Sequence, residues 1–424
     1  MKKFIVLMTL MLTASIYGQK KYIQCGSLLD VLTGKVLEEK TIIVSGNRIM
    51  EIQDGFVLGT SGDEVIDLKN KVVLPGFIDM HVHIEFESDP KTYIDRFTLN
   101  DADVAFRASV YAKKTLMAGF TTVRDLGGTG VNIALRNAIN KELVIGPRIY
   151  TAGKAIATTG GHADPTNGSR KELAGDPGPK EGVINSPEDG KKAVRQRYKE
   201  GSDVIKITAT GGVLSVANSG KNPQFTIEEI KAVTQIANDY GMLTAAHAHG
   251  DEGMQRAIKG GIKTIEHGSY MSEETMELMK EYDAYLVPTI TAGKQVVEKA
   301  KIPGFFPAVV AEKALEIGPL IQNTFAKAYK KGVKIAFGTD AGVFPHGMNA
   351  KEFGYMVEAG MPAAEALRSA TITNAELLGM SNELGQLKAG FLADIIAVNE
   401  NPVKKVTTLE NVVFVMKNGI IYSK

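Results

Sequence analysis

Between residues 72 and 339 the chain repeats one unit eight times, a short apolar run followed by a longer amphipathic stretch, and this alternation constrains the fold more than any other feature. The runs fall at 72–79, 119–124, 148–152, 203–208, 242–247, 262–267, 285–290 and 333–339. Stretches with helical periodicity, such as Thr226 to Tyr240, Glu252 to Lys259 and Met271 to Tyr282, lie between them, and glycine often precedes the next run. Parallel strands need a crossover, usually a helix, so the pattern predicts an α/β chain with a parallel sheet. Eight units predict a (β/α)₈ TIM barrel over residues 75–381, whose chemistry gathers where the carboxyl ends of the strands form one mouth.

The flanks read differently. Ile42-Ile43-Val44-Ser45-Gly46-Asn47-Arg48-Ile49, Val65 to Leu68, Ala393 to Val398 and Val412 to Tyr422, the last with an Asn-Gly turn, are short β runs. Neither flank can build a good core alone, so one small β-sandwich is expected from residues 20–74 and 382–424. Ahead of it, Lys2 and Lys3 precede the apolar stretch Phe4 to Ala14 and the small residues Ser15 and Gly18, the layout of a signal peptide over residues 1–19. The expectation is an exported enzyme, periplasmic or secreted, whose mature chain starts near Gln19 or Lys20. No other segment approaches a membrane span. The lone cysteine, Cys25, cannot form an internal disulfide and reads as a small core residue. With 49 basic against 48 acidic residues, the chain has no field to gather nucleic acid.

Polar residues stand where the strands end. His81 and His83 follow the first run two positions apart, so a continued pleat points both the same way. His247 ends the fifth run, His267 the sixth and Asp340 follows the eighth. In a barrel these converge on one mouth, and imidazole nitrogen and carboxylate oxygen are ordinary zinc ligands. Lys206, inside Asp203-Val204-Ile205-Lys206-Ile207, would put an ammonium at the barrel centre, where desolvation is costly. Either a carboxylate pairs with it, or carbon dioxide converts it to a carbamate, an anion able to bridge two metals.

Together His81-Val82-His83, Lys206, His247, His267, Asp340 and the β flanks resemble the metal-dependent amidohydrolase superfamily over nearly all of the mature chain. Thr159-Gly160-Gly161-His162, Thr210-Gly211-Gly212 and His247-Ala248-His249-Gly250 are similar to the group containing imidazolonepropionase-like proteins and metal-dependent Xaa-Pro (prolidase-like) dipeptidases. The resemblance implies two divalent ions, zinc being the expected element. His81 and His83 would hold the more buried ion, Lys206 as N6-carboxylysine would bridge, and His247 and His267 would hold the second. Asp340 would touch the first ion and carry the proton from the attacking hydroxide to the leaving amine.

His162 is expected either at the substrate carbonyl or as a fastener of the 153–190 loop. His249 is expected at the substrate or supporting a ligand, and Arg170 at a substrate carboxylate or in solvent. Arg124 and Asp125 pair with each other or shape the pocket, and Tyr240 packs at the far end. The expected reaction is cleavage of a dipeptide or N-acyl amino acid amide by metal-bound hydroxide. Ring opening of a cyclic amide, imidazolonepropionase-like or dihydroorotase-like, is the alternative, and deamination of an aminated ring is less suited to a bridging lysine. A metal-free binding scaffold would lack a ligand, yet every position is filled. A homo-oligomer is left open.

Overall fold

The computed structural model describes residues 19–423. The leader expected at 1–19 falls, but for its last residue, outside them. Four strands open the described chain: β1 (Lys20–Asp30), β2 (Lys35–Ser45), β3 (Arg48–Asp54) and β4 (Glu64–Pro75). Eight shorter ones follow: β5 (Phe77–Val82), β6 (Phe120–Asp125), β7 (Arg148–Thr151), β8 (Val204–Thr208), β9 (Leu243–Ala248), β10 (Thr264–His267), β11 (Tyr285–Val287) and β12 (Lys334–Ile335). The chain closes with β13 (Ile395–Val398), β14 (Phe414–Lys417) and β15 (Ile420–Ser423).

Strands β5-β6-β7 form one parallel sheet and β12-β11-β10-β9-β8 another. Parallel bridges Ile156↔Ile207 and Val82↔Ala341 touch at the two seams between them. This is an α/β fold whose parallel strands are consistent with an eight-stranded barrel. The intervening helices follow from local signals. Thr226 and Glu229 exchange hydrogen bonds in a capping box that starts Ile227–Asp239, and Gly201, at φ +94°, stops Pro187–Glu200 where a side chain would be strained.

The eighth strand is much shorter than the sequence predicts over 333–339. Regular pairing ends at Ile335, after which the Ala336 amide still reaches the Leu286 carbonyl. Then the segment changes partner: the Met80 amide donates to the Phe337 carbonyl and the Asp340 amide to the His81 carbonyl. Asp340 completes the change at φ +60°, a backbone state uncommon outside glycine. The hand-over from β11 to β5 places Asp340 beside His81.

The strands from both chain ends form a single seven-stranded sheet, β15-β14-β13-β4-β1-β2-β3, rather than the two separate sheets expected of a sandwich. Hydrogen bonding runs on without a break because β4 accepts β1 on one side and β13 on the other. Alternation then sorts its residues. Val73, Ile395, Ala397, Phe414 and Met416 join Ile23, Cys25 and Ile42 in the sheet's own core. Their neighbours Val72, Leu74, Ile396, Val398 and Val415 pack into the core of the parallel-strand unit. Cys25 is buried there, its thiol pushed up to about 12 by burial.

Candidate metal centre

A cavity of about 660 Å³ opens where the parallel strands end, with His81, His83, His162, Lys206, His247, His249, His267 and Asp340 in its lining. Each strand-end imidazole is tied down by one ring nitrogen. His81 Nδ1 lies 2.9 Å from Glu266 Oε2 and His83 Nδ1 2.7 Å from the Gly127 carbonyl. His247 Nε2 lies 3.0 Å from the Gly211 carbonyl, and His267 Nδ1 2.7 Å from Thr289 Oγ1. Carbonyls and carboxylates only accept, so in the first three neutral rings the tied nitrogen carries the hydrogen and the other keeps its lone pair. Burial holds His83 down to about 4 and His81, His247 and His267 well below the ordinary histidine value. Neutral, oriented imidazoles are what a metal requires.

Asp340 Oδ1 is 3.5 Å from both His81 Nε2 and His83 Nε2 and has no hydrogen-bond partner among the described residues. A buried carboxylate oxygen left in that state is costly without a cation. Two donor sets emerge, His81, His267 and Asp340, and His247, His249 and His267, with ligand atoms in each within 4.8 Å of one another. This donor chemistry fits a binuclear site for divalent ions. Lys206 sits in the same floor, 3% exposed, and no ion pair involves it among the described residues. Burial draws its ammonium down despite the pull of Glu266 and Asp340.

His249, expected at the substrate, lies inside the three-histidine set, with Nδ1 2.7 Å from Ser269 Oγ and its ring stacked 4.9 Å from that of His267. His162 stacks on His247 at 4.3 Å between ring centroids, and its Nδ1 has no partner among the described residues. A glycine at 212 is what admits that ring, since a Cβ there would lie 2.3 Å from it. Of the two places left open for Arg170, the structure has it in solvent and not at the substrate: it does not line the cavity, its side chain is 72% exposed, and it pairs with Glu172 at 2.9 Å. A short polar helix, Lys171–Ala174, holds this pair on the surface. Tyr240 stacks on Tyr198 away from the cavity. His346 is buried on Thr115 and the carbonyls of His83 and Phe86.

Arg124 and Asp125 do not pair with each other. Arg124 donates to Glu266 Oε1 at 2.8 Å and to the Met80 carbonyl at 2.6 Å. Asp125 accepts from the Ile84 amide and Asn132. Glu266 therefore links Arg124 to His81, a role that the sequence reading missed; the available signal was a carboxylate inside an apolar strand. Asp79 was missed too. It accepts from the amides of His81 and Thr339, the Thr339 hydroxyl and Asn349, fastening β5 to the segment that carries Asp340. Lys313, in Ala308–Ile317, gives all three ammonium hydrogens to the carbonyls of Gly212, Ser215 and Ala217 at 2.6–2.7 Å. It braces the loop that supports His247 and His162, and nothing in its helix pattern signals this.

Two sets of neutral imidazoles around a carboxylate whose Oδ1 has no other partner among the described residues can hold metal ions that activate water, the arrangement of a metal-dependent hydrolase. The profile of the amidohydrolase family matches residues 72–422. The chain belongs to that family, as a binuclear enzyme acting on carbon–nitrogen bonds. It is similar to the crystal structure of a Xaa-Pro dipeptidase with bound methionine in the active site, at 52% identity and a TM-score of 0.93, covering 96% of this chain and all of that one. A prolidase complexed with N-methylphosphonate-L-proline is similar at 30% identity and TM-score 0.88, again over 96% of this chain and 100% of the other. Ochratoxinase of Aspergillus niger is 33% identical over 371 residues, 83% of this chain and 75% of its own. Among the described residues no helix is long and apolar enough to cross a membrane.

Proposed function

We propose that the enzyme cleaves the amide bond of a dipeptide or N-acyl amino acid whose leaving part is an amino acid with a free carboxylate. The observation that carries this reading is the methionine in the active site of the 52% identical Xaa-Pro dipeptidase, a free amino acid of the kind such cleavage releases. A cavity of about 660 Å³ has room for a molecule of this size. The catalytic unit is read as a closed (β/α)₈ barrel, supported by the parallel bridges at both seams.

Two divalent ions, zinc by preference for nitrogen and carboxylate donors, would be held by His81, His83, His247, His267 and Asp340. When bound, they supply Lewis acidity that makes water a nucleophile near neutral pH and polarises a carbonyl. Lys206 is read as N6-carboxylysine: it faces the cavity without an ion pair among the described residues, and burial favours the neutral amine that reacts with carbon dioxide. Asp340 takes the proton of the attacking water and delivers it to the leaving nitrogen, a role suited to a carboxyl group that burial pushes up. His162, with Nδ1 uncommitted, donates to the developing oxyanion. The Lys2-Lys3 and Phe4 to Ala14 leader supports work outside the cytoplasm.

Side-by-side rates test the substrate reading. Leu-Pro should be cleaved faster than Leu-Pro carboxamide by about 10²-fold, since losing one charge-assisted contact costs about 2–5 kcal/mol. Equal rates on the two, or faster opening of a cyclic amide, would overturn it.

A further inference from the structure

The proposed substrate carries a carboxylate, so the cavity needs a cation to receive it, and Arg170 stands outside. The histidines do not serve: His83 stands against Asp340 in the floor, His249 lies in the three-histidine set with Nδ1 2.7 Å from Ser269 Oγ, and His162 is stacked on His247 at 4.3 Å. Lys206 belongs to the floor among the metal donors, and Lys313 has spent its three hydrogens on carbonyls. Among the described residues lining the cavity, that leaves Lys154.

Lys154 follows β7, three residues past its last member, and is half-buried. No ion pair involves it among the described residues. Glu181 shares that wall without pairing with Lys154: its carboxyl is drawn down by the Gly178 amide at 3.0 Å and, more weakly, by the charges of Lys180 and Lys154. Around Lys154 the wall is polar or backbone-rich, with Gly127, Gly128 and Thr129 following β6. Four strands further on, after β11 and around β12, the wall is apolar: Ala292, Val296, Ile321 and Val343. In a closed eight-stranded ring, β7 and β11 face each other across the mouth. The cavity is thus polarised, with Lys154 and Glu181 among polar groups on one side, apolar side chains on the other and the metal donors beneath.

We propose that Lys154 is the residue that receives the substrate's free carboxylate, with the acyl-side residue lying against the Val296 and Ile321 wall and the scissile amide held over the histidine floor between them. This assignment rests on the dipeptide reading above. Lys154 sets specificity and takes no part in bond breaking, so its removal acts chiefly through KM.

The test measures kcat and KM of metal-loaded wild type, Lys154→Met, Lys154→Gln and Lys154→Arg on Leu-Pro and on Leu-Pro carboxamide, with L-proline binding followed by calorimetry. Lys154→Met and Lys154→Gln should each lower kcat/KM on Leu-Pro by about 10- to 100-fold, mainly through KM, and leave the carboxamide within about twofold. Lys154→Arg should keep most of the preference, and L-proline binding should weaken in Met and Gln variants of unchanged metal content. A wild type that prefers the free acid, with variants that keep the same preference, would overturn the role of Lys154 alone. A wild type with no preference would overturn the substrate reading and this assignment together.

Discussion

The floor of the cavity and its wall are built on opposite principles. On the floor, His81, His83, His247 and His267 are each held by a second bond, to Glu266, Gly127, Gly211 and Thr289. Asp79 and Arg124 brace the strands from behind. On the wall, Lys154, Leu214, Val296 and Ile321 come from loops and helices, and their side chains are not fixed by strand pairing. A rigid floor serves a reaction that any amide can undergo, whereas an adjustable wall sets which amide enters. Changes to the floor should therefore abolish turnover for every substrate, and changes to the wall should redistribute it among substrates.

The strongest way to break this contrast is Lys206→Ala. If Lys206 bridges two ions as a carbamate, its loss should lower kcat/KM by at least about 10³-fold on all substrates alike. Short-chain carboxylic acids should restore part of the rate by taking the vacated position. Normal turnover, or an unmodified amine in an active metal-loaded enzyme, would remove Lys206 from the floor.

His162 and His249 test where the floor ends. His162→Asn should lower kcat by about 10²-fold while both ions stay bound, as expected for a donor to an oxyanion. His249 stands on the border: it lies within the three-histidine set, yet if Lys206 bridges, His247 and His267 would complete that site without it. His249→Asn should keep two ions and lose about 10-fold or more in kcat/KM; loss of one ion would move His249 into the metal shell.

A smaller effect should appear in stability when metal is stripped. Unfolded histidines titrate near 6.5, while burial holds His83 and His346 at about 4 and His162 and His249 at about 3. As pH falls the unfolded chain gains protons first, so this stability is present above about pH 6.5 and is lost as pH drops toward 4 and then 3. The Tm of chelator-treated protein should fall steadily from pH 7 to 4.5. A flat profile would mean that these rings are solvated.

The difference between floor and wall also explains what was legible in the sequence. His81, His83, His247, His267 and Asp340 could be read because strand ends in a parallel α/β chain converge, whatever the loops do. Lys206 stood out because a lysine in an apolar strand is costly. Arg170 and Lys154 could not be ranked: loop side chains have no periodicity that fixes their direction, and the structure exposes one and turns the other into the cavity. Glu266 and Asp79 gave the same signal as Lys206, a charge inside an apolar strand, but the partners that define their roles, Arg124 and Thr339, lie far along the chain; Lys313 gave none. The eighth strand was overestimated because apolar character continues past Ile335 while hydrogen bonding passes to β5.

The central claim is that the floor holds two metal ions, and elemental analysis of the purified enzyme under metal-replete conditions tests it most directly. The donor sets His81, His267, Asp340 and His247, His249, His267 predict two divalent ions per chain. One ion per chain, or none, in an enzyme that still hydrolyses amides would contradict the account.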